Sequence, residues 1–329
     1  MKIVKQITFT FFGLALLGSV NAQASYWERP VVKDFVSEMV KKHQFDKSEL
    51  QRWFSASKKH QSIIDAMMRP AEGKPWKEYR PIFLTDKRIT KGVMFWQQNR
   101  ELLEKAEQRF GVPAEIIVAI IGVETYYGRQ SGRYPVIDAL ATLGFDYPPR
   151  SKFFKKELEQ FLLLARDEKL SMNKTLGSYA GAMGMGQFIS SSYRSYAVDF
   201  DGDGQRNLWQ TTDAIGSVAN YFKRHGWRMN EPVIVKANGN GKTHKKEGRM
   251  MKPHRSIDSF RQQGLGFEPG IKTKDDKAVL VKLDGKKGTE YWIGLHNFYV
   301  ISRYNHSPLY SMAVFQLSEE IKRRMKKVN

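Results

Sequence analysis

Ile116-Ile-Val-Ala-Ile-Ile-Gly-Val-Glu124-Thr-Tyr-Tyr-Gly128 is an almost wholly apolar run with one carboxylate near its C-terminal end. Pro113 ahead of it reads as a first helical residue and Gly128 as a stop, so the segment is predicted as one helix. Ile117, Ile120, Glu124 and Tyr127 follow at steps of three or four, which puts the carboxyl on the stripe of the core-facing isoleucines. Desolvation there penalises the charged form and raises a carboxyl pKa, as a general acid requires. The competing reading is a helix-end glutamate bonded to nearby backbone or to an arginine.

Around this helix the 329 residues contain no cysteine, which excludes disulfides, thiolate chemistry and cysteine-based zinc sites. The start, Met1-Lys2-Ile-Val-Lys5 followed by the apolar run Ile7 to Val20 and small residues at Ala22 and Ala24, reads as a secretory signal peptide over 1–24. That run is short for a membrane span. Losing Lys2 and Lys5 takes the formal charge from +20 to +18, since 1–24 holds no acid. The mature chain is therefore expected to be soluble and extracytoplasmic. There a basic protein adheres to anionic surfaces rather than to nucleic acid. A chain of this length builds its own core, in two or three lobes.

Helical stripes run from Trp27 to about Pro70: Val32, Phe35, Val36, Met39 and Val40; Leu50, Trp53 and Phe54; Ile63, Ile64, Met67 and Met68. A breaker-rich connection, Arg69 to Trp76, follows, and helical patterns resume from Phe95 to Gly226. They include Asn99 to Phe110, Phe153 to Arg166 and Thr212 to His225. After Trp227 the texture turns to strands at Val233 to Val235, Ala278 to Leu283 and Tyr291 to Ile293, with turn pairs at Asn238 to Gly241 and Asp284-Gly285. Ser307-Pro308 starts a last helix whose apolar face is Val314, Leu317, Ile321 and Met325.

Asp199-Phe-Asp201-Gly-Asp203-Gly204-Gln205-Arg-Asn207 puts oxygen donors at alternate positions with glycine in sixth place, as a calcium loop needs. Gln210 replaces the usual twelfth-place glutamate, and Asp213 could close the site from a longer loop. No open position is left for chemistry, so the ion is assigned a structural role; a solvated acidic turn is the alternative. Upstream, Gly177-Ser178-Tyr-Ala-Gly-Ala-Met-Gly-Met-Gly-Gln187-Phe188 lets backbone approach a ligand, although such runs are also linkers. Nearby tyrosines suit sugar rings or simply the core. Asp138, Asp146 and Asp167 are candidates for a second glycosidase acid, yet none sits on an apolar stripe, and caps or surface charges account for them.

Gly122-Val-Glu124-Thr-Tyr-Tyr-Gly128, Ala139 to Tyr147, Gly177 to Phe188, the Asp199 loop and Asp213 to Tyr221 together resemble the membrane-bound lytic transglycosylase B family, over nearly the whole mature chain. The resemblance implies an α+β, mainly α fold: a lysozyme-like helical core (77–228 and 288–329), an N-terminal helical lobe (25–76, which helix 308–329 is a candidate to join) and a β-rich lobe (229–287). It implies that Glu124 acts as acid and then base on the bond between N-acetylmuramic acid and N-acetylglucosamine in peptidoglycan, leaving 1,6-anhydromuramoyl ends without using water. Ser178 and Gln187 match the family's groove, and Tyr79, Arg150, Tyr221, Tyr304, Asn305 and Tyr310 match its substrate contacts. One structural calcium, held by Asp199, Asp201, Asp203, Gln205 and Asp213, is implied, with no organic cofactor.

The chain is thus expected as a periplasmic monomer that meets glycan strands and, further, wall-synthesis proteins. Two features depart from the family pattern. The namesake's lipid-bearing cysteine is missing from Leu14 to Ser19, and Arg150 follows Pro149 where paired arginines are usual. A hydrolysing muramidase and a non-catalytic wall binder are the rival readings.

Overall fold

The computed structural model describes residues 25–69, 73–239 and 251–328. The expected signal segment 1–24, part of the connection after Arg69 and the Asn240-Gly241 end of the expected turn lie outside them. In chain order the helices are α1 (Pro30–His43), α2 (Lys47–Ala56), α3 (Gln61–Met67), α4 (Trp76–Phe83), α5 (Asp86–Gln98), α6 (Arg100–Phe110) and α7 (Ala114–Thr125). A short strand β1 (Tyr134–Pro135) leads into α8 (Val136–Asp146) and α9 (Ser151–Asp167), and β2 (Leu176–Gly177) into α10 (Ser190–Tyr196) and α11 (Thr211–Arg224). Then come β3 (Ile234–Ala237), β4 (Arg255–Ser256), α12 (Ile257–Gln262), β5 (Lys277–Gly285), β6 (Gly288–Gly294), α13 (His296–Tyr304) and α14 (Pro308–Val328). No helix among the described residues is long and apolar enough to cross a membrane.

The first three helices form where their stripes predict. Pro30 opens α1, Gln44 ends it in the left-handed region, and the Asp46 carboxylate caps α2 by accepting the Glu49 N–H at 2.8 Å. Val36, Leu50, Phe54 and Ile63 are fully buried, and Phe35, Phe54 and Phe145 meet edge-on, which fastens this layer to α8. Asp138 completes the joint: it is buried, takes the Lys58 N–H at 3.1 Å, and lies 2.9 Å from His60 Nε2.

At the centre lies α7, with every residue from Ala114 to Val123 buried. A helix apolar on all sides belongs inside a bundle, and α5, α6, α11 and α14 surround it. Its one early charge, Glu115, is neutralised by Lys322 of α14 at 2.6 Å. Pro113 is its cap rather than its first residue, and the helix stops at Thr125, short of the expected Gly128. The reason is local: Tyr126 and Tyr127 turn left-handed (φ 53° and 63°) before Gly128 (φ 82°), and the Thr125 hydroxyl takes the Gly128 N–H at 3.0 Å. Two helices went unread ahead of Phe95. In α4 the breaker Pro81 sits inside the helix, and α5 is opened by Thr85, whose hydroxyl accepts the Arg88 N–H.

Strands β3, β6, β5 and β4 form one antiparallel sheet in that order, with β5 and β6 joined by a two-residue turn between paired Gly285 and Gly288. Alternate residues of β5 serve two cores. Ala278 and Leu280 join Phe260 of α12 in a small separate core, whereas Val279, Val281 and Leu283 join the main one.

At Gly92 of α5 a Cβ would come within 2.5 Å of Ile321 in α14 and 2.6 Å of the Tyr127 hydroxyl. Gly92→Ala is therefore expected to destabilise the fold by roughly 1–3 kcal/mol. Chemical denaturation measures this, and an unchanged midpoint would contradict so close a helix junction.

Candidate active site

Glu124 occupies the penultimate position of α7 and is half-buried, its side chain leaving the core where the helix ends. The Tyr310 hydroxyl donates to Glu124 Oε1 at 2.6 Å. Ser307 sets this up by accepting the Tyr310 N–H at 3.3 Å and so capping the first turn of α14, which projects the phenol toward α7. Burial, and then the Glu124 charge, push the Tyr310 phenol well above its ordinary range, so it remains a proton-bearing donor.

Tyr304 lies beside the pair. Burial and the Glu124 charge raise its phenol as well, and its hydroxyl donates to the Gly186 carbonyl at 2.5 Å. Its ring stacks on Phe222 and meets Tyr221 at 4.7 Å, while the Tyr221 hydroxyl donates to the Arg303 carbonyl at 2.6 Å. Asn305 ends α13, and its carbonyl accepts the Ser307 N–H at 2.7 Å, linking α13 to the capped start of α14. Tyr79 is buried between Trp76 and Phe83 on α4, near enough to Tyr310 to act on its ionisation.

The glycine-rich loop is a fixed structure rather than a linker. The Ser178 hydroxyl accepts the Ala180 and Ala182 N–H groups at 3.2 and 3.1 Å. Gln187, itself left-handed at φ 51°, donates its amide to the carbonyls of Ser131 at 3.1 Å and Gly184 at 3.0 Å. Gly184 (φ 69°) has no room for a Cβ against Leu208. Thr125, next to Glu124 and not singled out from the sequence, donates its hydroxyl to the Met185 carbonyl at 2.9 Å, and Met185 N–H reaches Leu208 O at 2.8 Å. The only sequence signal for this role was a hydroxyl in an otherwise apolar run.

Leu208 follows the acidic loop directly. Asp199, Asp201 and Asp213 bring carboxylate oxygens within 4.8 Å of one another. Backbone N–H groups, led by that of Gly204, hold the Asp199 carboxyl below its usual range. Burial foremost, helped by the charges of Asp201 and Asp199, pushes the Asp213 carboxyl up, although it accepts the N–H of Phe200 at 2.8 Å and of Asn207 at 2.6 Å. Converging hard oxygens, one of them fully dehydrated, fit a cation such as Ca²⁺. Asp203 and Gln205 stand outside this trio. The Asp203 carboxylate takes the Gln205 N–H at 2.8 Å, and Gln205 lines a cleft of about 420 Å³ with Ser131 and Trp209.

Arg150 is not gathered with the others. Its guanidinium lies 4.5 Å from the Phe153 ring, in a cleft of its own formed by 148–153 and Lys156. A cavity of about 840 Å³ likewise excludes Glu124, although α4 and α14 border both.

A family model for the transglycosylase SLT domain matches residues 27–319. The chain belongs to the transglycosylase SLT domain family. This transglycosylase is 46% identical over 308 residues to the membrane-bound lytic murein transglycosylase B of Escherichia coli (strain K12), across 89% of this chain and 82% of that one. It overlays the soluble lytic transglycosylase SltB1 from Pseudomonas aeruginosa with a TM-score of 0.84 at 52% identity, covering 90% of this chain and 99% of the other. The Escherichia coli lytic transglycosylase Slt35 in complex with calcium overlays with the same TM-score, 0.84, at 46% identity over 90% of this chain and 94% of that one. These overlaps bear out the mainly helical, lysozyme-like α+β architecture expected from the sequence.

Tyr310→Phe keeps the ring and removes the bond that orients the carboxyl. Turnover on purified sacculi is expected to fall about tenfold with little change in melting temperature, since orientation at a reacting centre is worth that much or more. Unchanged turnover would remove Tyr310 from the site.

Proposed function

We propose that this transglycosylase cleaves the β-1,4 bond between N-acetylmuramic acid and N-acetylglucosamine in peptidoglycan without water. One observation carries the reading: Glu124, rising from a helix buried on all sides, is half-exposed and held by a phenol at 2.6 Å. In the proposed sequence the Glu124 carboxyl gives its proton to the glycosidic oxygen as the bond to the anomeric carbon breaks. The substrate's acetamido group supports the positive centre. Glu124 then takes the proton of the muramoyl 6-hydroxyl as that oxygen closes on the anomeric carbon, so the chain regains its proton and the product carries a 1,6-anhydro ring.

The fate of the candidate second acids favours a single-carboxylate scheme. Asp138 is committed to Lys58 and His60, Asp146 to Tyr26 at 2.8 Å and Arg29 at 2.9 Å, and Asp167 lies 3.4 Å from Arg194. In the same reading Ser178, Gln187, Tyr304, Asn305 and Tyr310 line the glycan path, Tyr79 and Tyr221 support it, and Arg150 meets the strand away from the reacting bond. Calcium, held by Asp199, Asp201 and Asp213 with Asp203 and Gln205 as further donors, stiffens the loop behind Met185 and takes no part in the chemistry. The protein acts in the periplasm as a monomer after removal of 1–24. Its core is 77–228 with the helices after β6, flanked by lobe 25–76 and by a β-rich lobe that extends from 229 past the expected bound at 287 to Gly294, because β6 pairs with both β3 and β5.

Glu124→Gln is expected to abolish clearing of sacculi while sacculus binding persists; a variant that still clears them would refute the assignment. A non-catalytic wall binder predicts no clearing by the parent chain. Chelation is expected to lower the melting temperature by roughly 5 °C for a site filled at a hundredfold its Kd, and an unmoved transition at low ionic strength would dismiss the metal.

A further inference from the structure

Two consecutive non-glycine residues in the left-handed region, Tyr126 and Tyr127, follow Glu124 and Thr125 at the end of α7. Both are gripped from α5 by one residue, Arg88. Its main-chain carbonyl accepts the Tyr127 hydroxyl at 2.9 Å, a bond that any residue at this position would supply. Its side chain holds Tyr126. The guanidinium carbon lies 5.1 Å from the Tyr126 ring centre and 5.1 Å from that of Phe83 on α4, so the cation bridges the two rings. Lys91, one turn further along α5, brings its ammonium within 5.7 Å of the same Tyr126 ring.

Arg88 keeps this place at a cost. It is half-buried, its Nη1 donates to the Ile82 carbonyl at 3.2 Å, and its Nε is buried with no acceptor among the described residues. No acid among the described residues pairs with it, and burial pulls its pKa below the ordinary range. An apolar side chain would fill the same space without leaving a dehydrated donor. The two rings that the cation joins lead to opposite sides of Glu124. Phe83 packs on Tyr79 at 5.1 Å, and Tyr79 lies near enough to Tyr310 to act on its ionisation, whereas Tyr126 is the residue at which α7 ends. Tyr127 is locked independently of the Arg88 side chain, because its hydroxyl lies 2.6 Å from where a Cβ at Gly122 would stand. The Tyr126 ring instead meets Tyr127 at 6.0 Å and the two cations of α5.

We propose that Arg88 is a positioning residue for the reaction at Glu124: its guanidinium, set between Phe83 and Tyr126, holds the left-handed turn that stops α7 and so fixes the direction in which the carboxyl leaves the helix. The proposal rests on the reading of Glu124 as acid and base and adds to it a residue that acts through the turn. Left-handed tyrosines relax toward helical or extended backbone unless their surroundings hold them. A released Tyr126 frees the last turn of α7, and the carboxyl one residue before Thr125 then samples directions in which it misses the glycosidic oxygen.

The test uses the full chain with Arg88→Met, Tyr126→Leu, the two combined, and Tyr126→Phe. Methionine keeps much of the side chain's length without the charged plane, and phenylalanine keeps the ring. Steady-state cleavage of soluble glycan strands is measured below the melting transition of each variant. On the same samples, mass spectrometry follows amide hydrogen exchange over 126–130, where the N–H groups of Tyr126, Tyr127, Gly128 and Gln130 donate to Gly122, Ile121 and Thr125. The expected result is a kcat about tenfold lower in Arg88→Met and in Tyr126→Leu, with KM within about twofold of the parent, no further loss in the combined variant, and recovery in Tyr126→Phe. Exchange over 126–130 is expected to quicken about tenfold wherever kcat falls. Parental kcat and exchange in Arg88→Met would overturn the proposal. So would losses that multiply in the combined variant, or a raised KM at unchanged kcat, which would make Arg88 a group that binds substrate. Failure of the parent chain to cleave would instead strike the murein reading, and the exchange rates would still decide whether Arg88 holds the turn.

Discussion

One hydrogen bond, from the phenol of Tyr310 on α14 to the carboxylate of Glu124 on α7, joins residues 186 apart in sequence and holds the candidate site together. It requires α14 to be docked along α7, which Lys322 and Glu115 secure at the far end of the same helix pair. It also requires the phenol to keep its proton, which burial beside a carboxylate ensures. The last described helix is thereby as much a part of the candidate site as the helix that bears Glu124.

Backbone conformation does the rest. Tyr126, Tyr127 and Gln187 are all left-handed, a cost for non-glycine residues that persists only where surroundings over-determine it. Here they do. Thr125 ties the end of α7 to Met185, Met185 is tied to Leu208, and Leu208 follows the acidic loop closed by Asp213. A cation among Asp199, Asp201 and Asp213 would act on the chemistry through that chain of hydrogen bonds, by holding a shape.

Much of the fold was legible because its strongest signals are local. An unbroken apolar run announces a buried helix, and the stripes of α1 to α3 need only periodicity. What escaped depends on context. Pro81 and a charged neighbourhood disguised α4 and α5, and α13 was not singled out because Phe298, Tyr299, Val300 and Ile301 are all strand formers, in a helix that packs against α14. The stop at Thr125 was missed because it is made by a side-chain hydroxyl, with glycine three residues later. For the site, periodicity could mark Glu124 but could not select Tyr310 or Tyr304. Those came from resemblance, and the structure shows the contacts that join them. The same resemblance offered Arg150, which the fold sets apart.

The central claim is that one carboxyl serves as acid and base toward groups of the substrate itself, with water excluded from the bond-forming step. Digestion of sacculi in ¹⁸O-enriched water, followed by mass spectrometry of the muramoyl ends, tests it most directly. The account predicts anhydro ends carrying no heavy oxygen at the anomeric carbon. Reducing ends that carry one ¹⁸O each would show that water is the nucleophile and would contradict it.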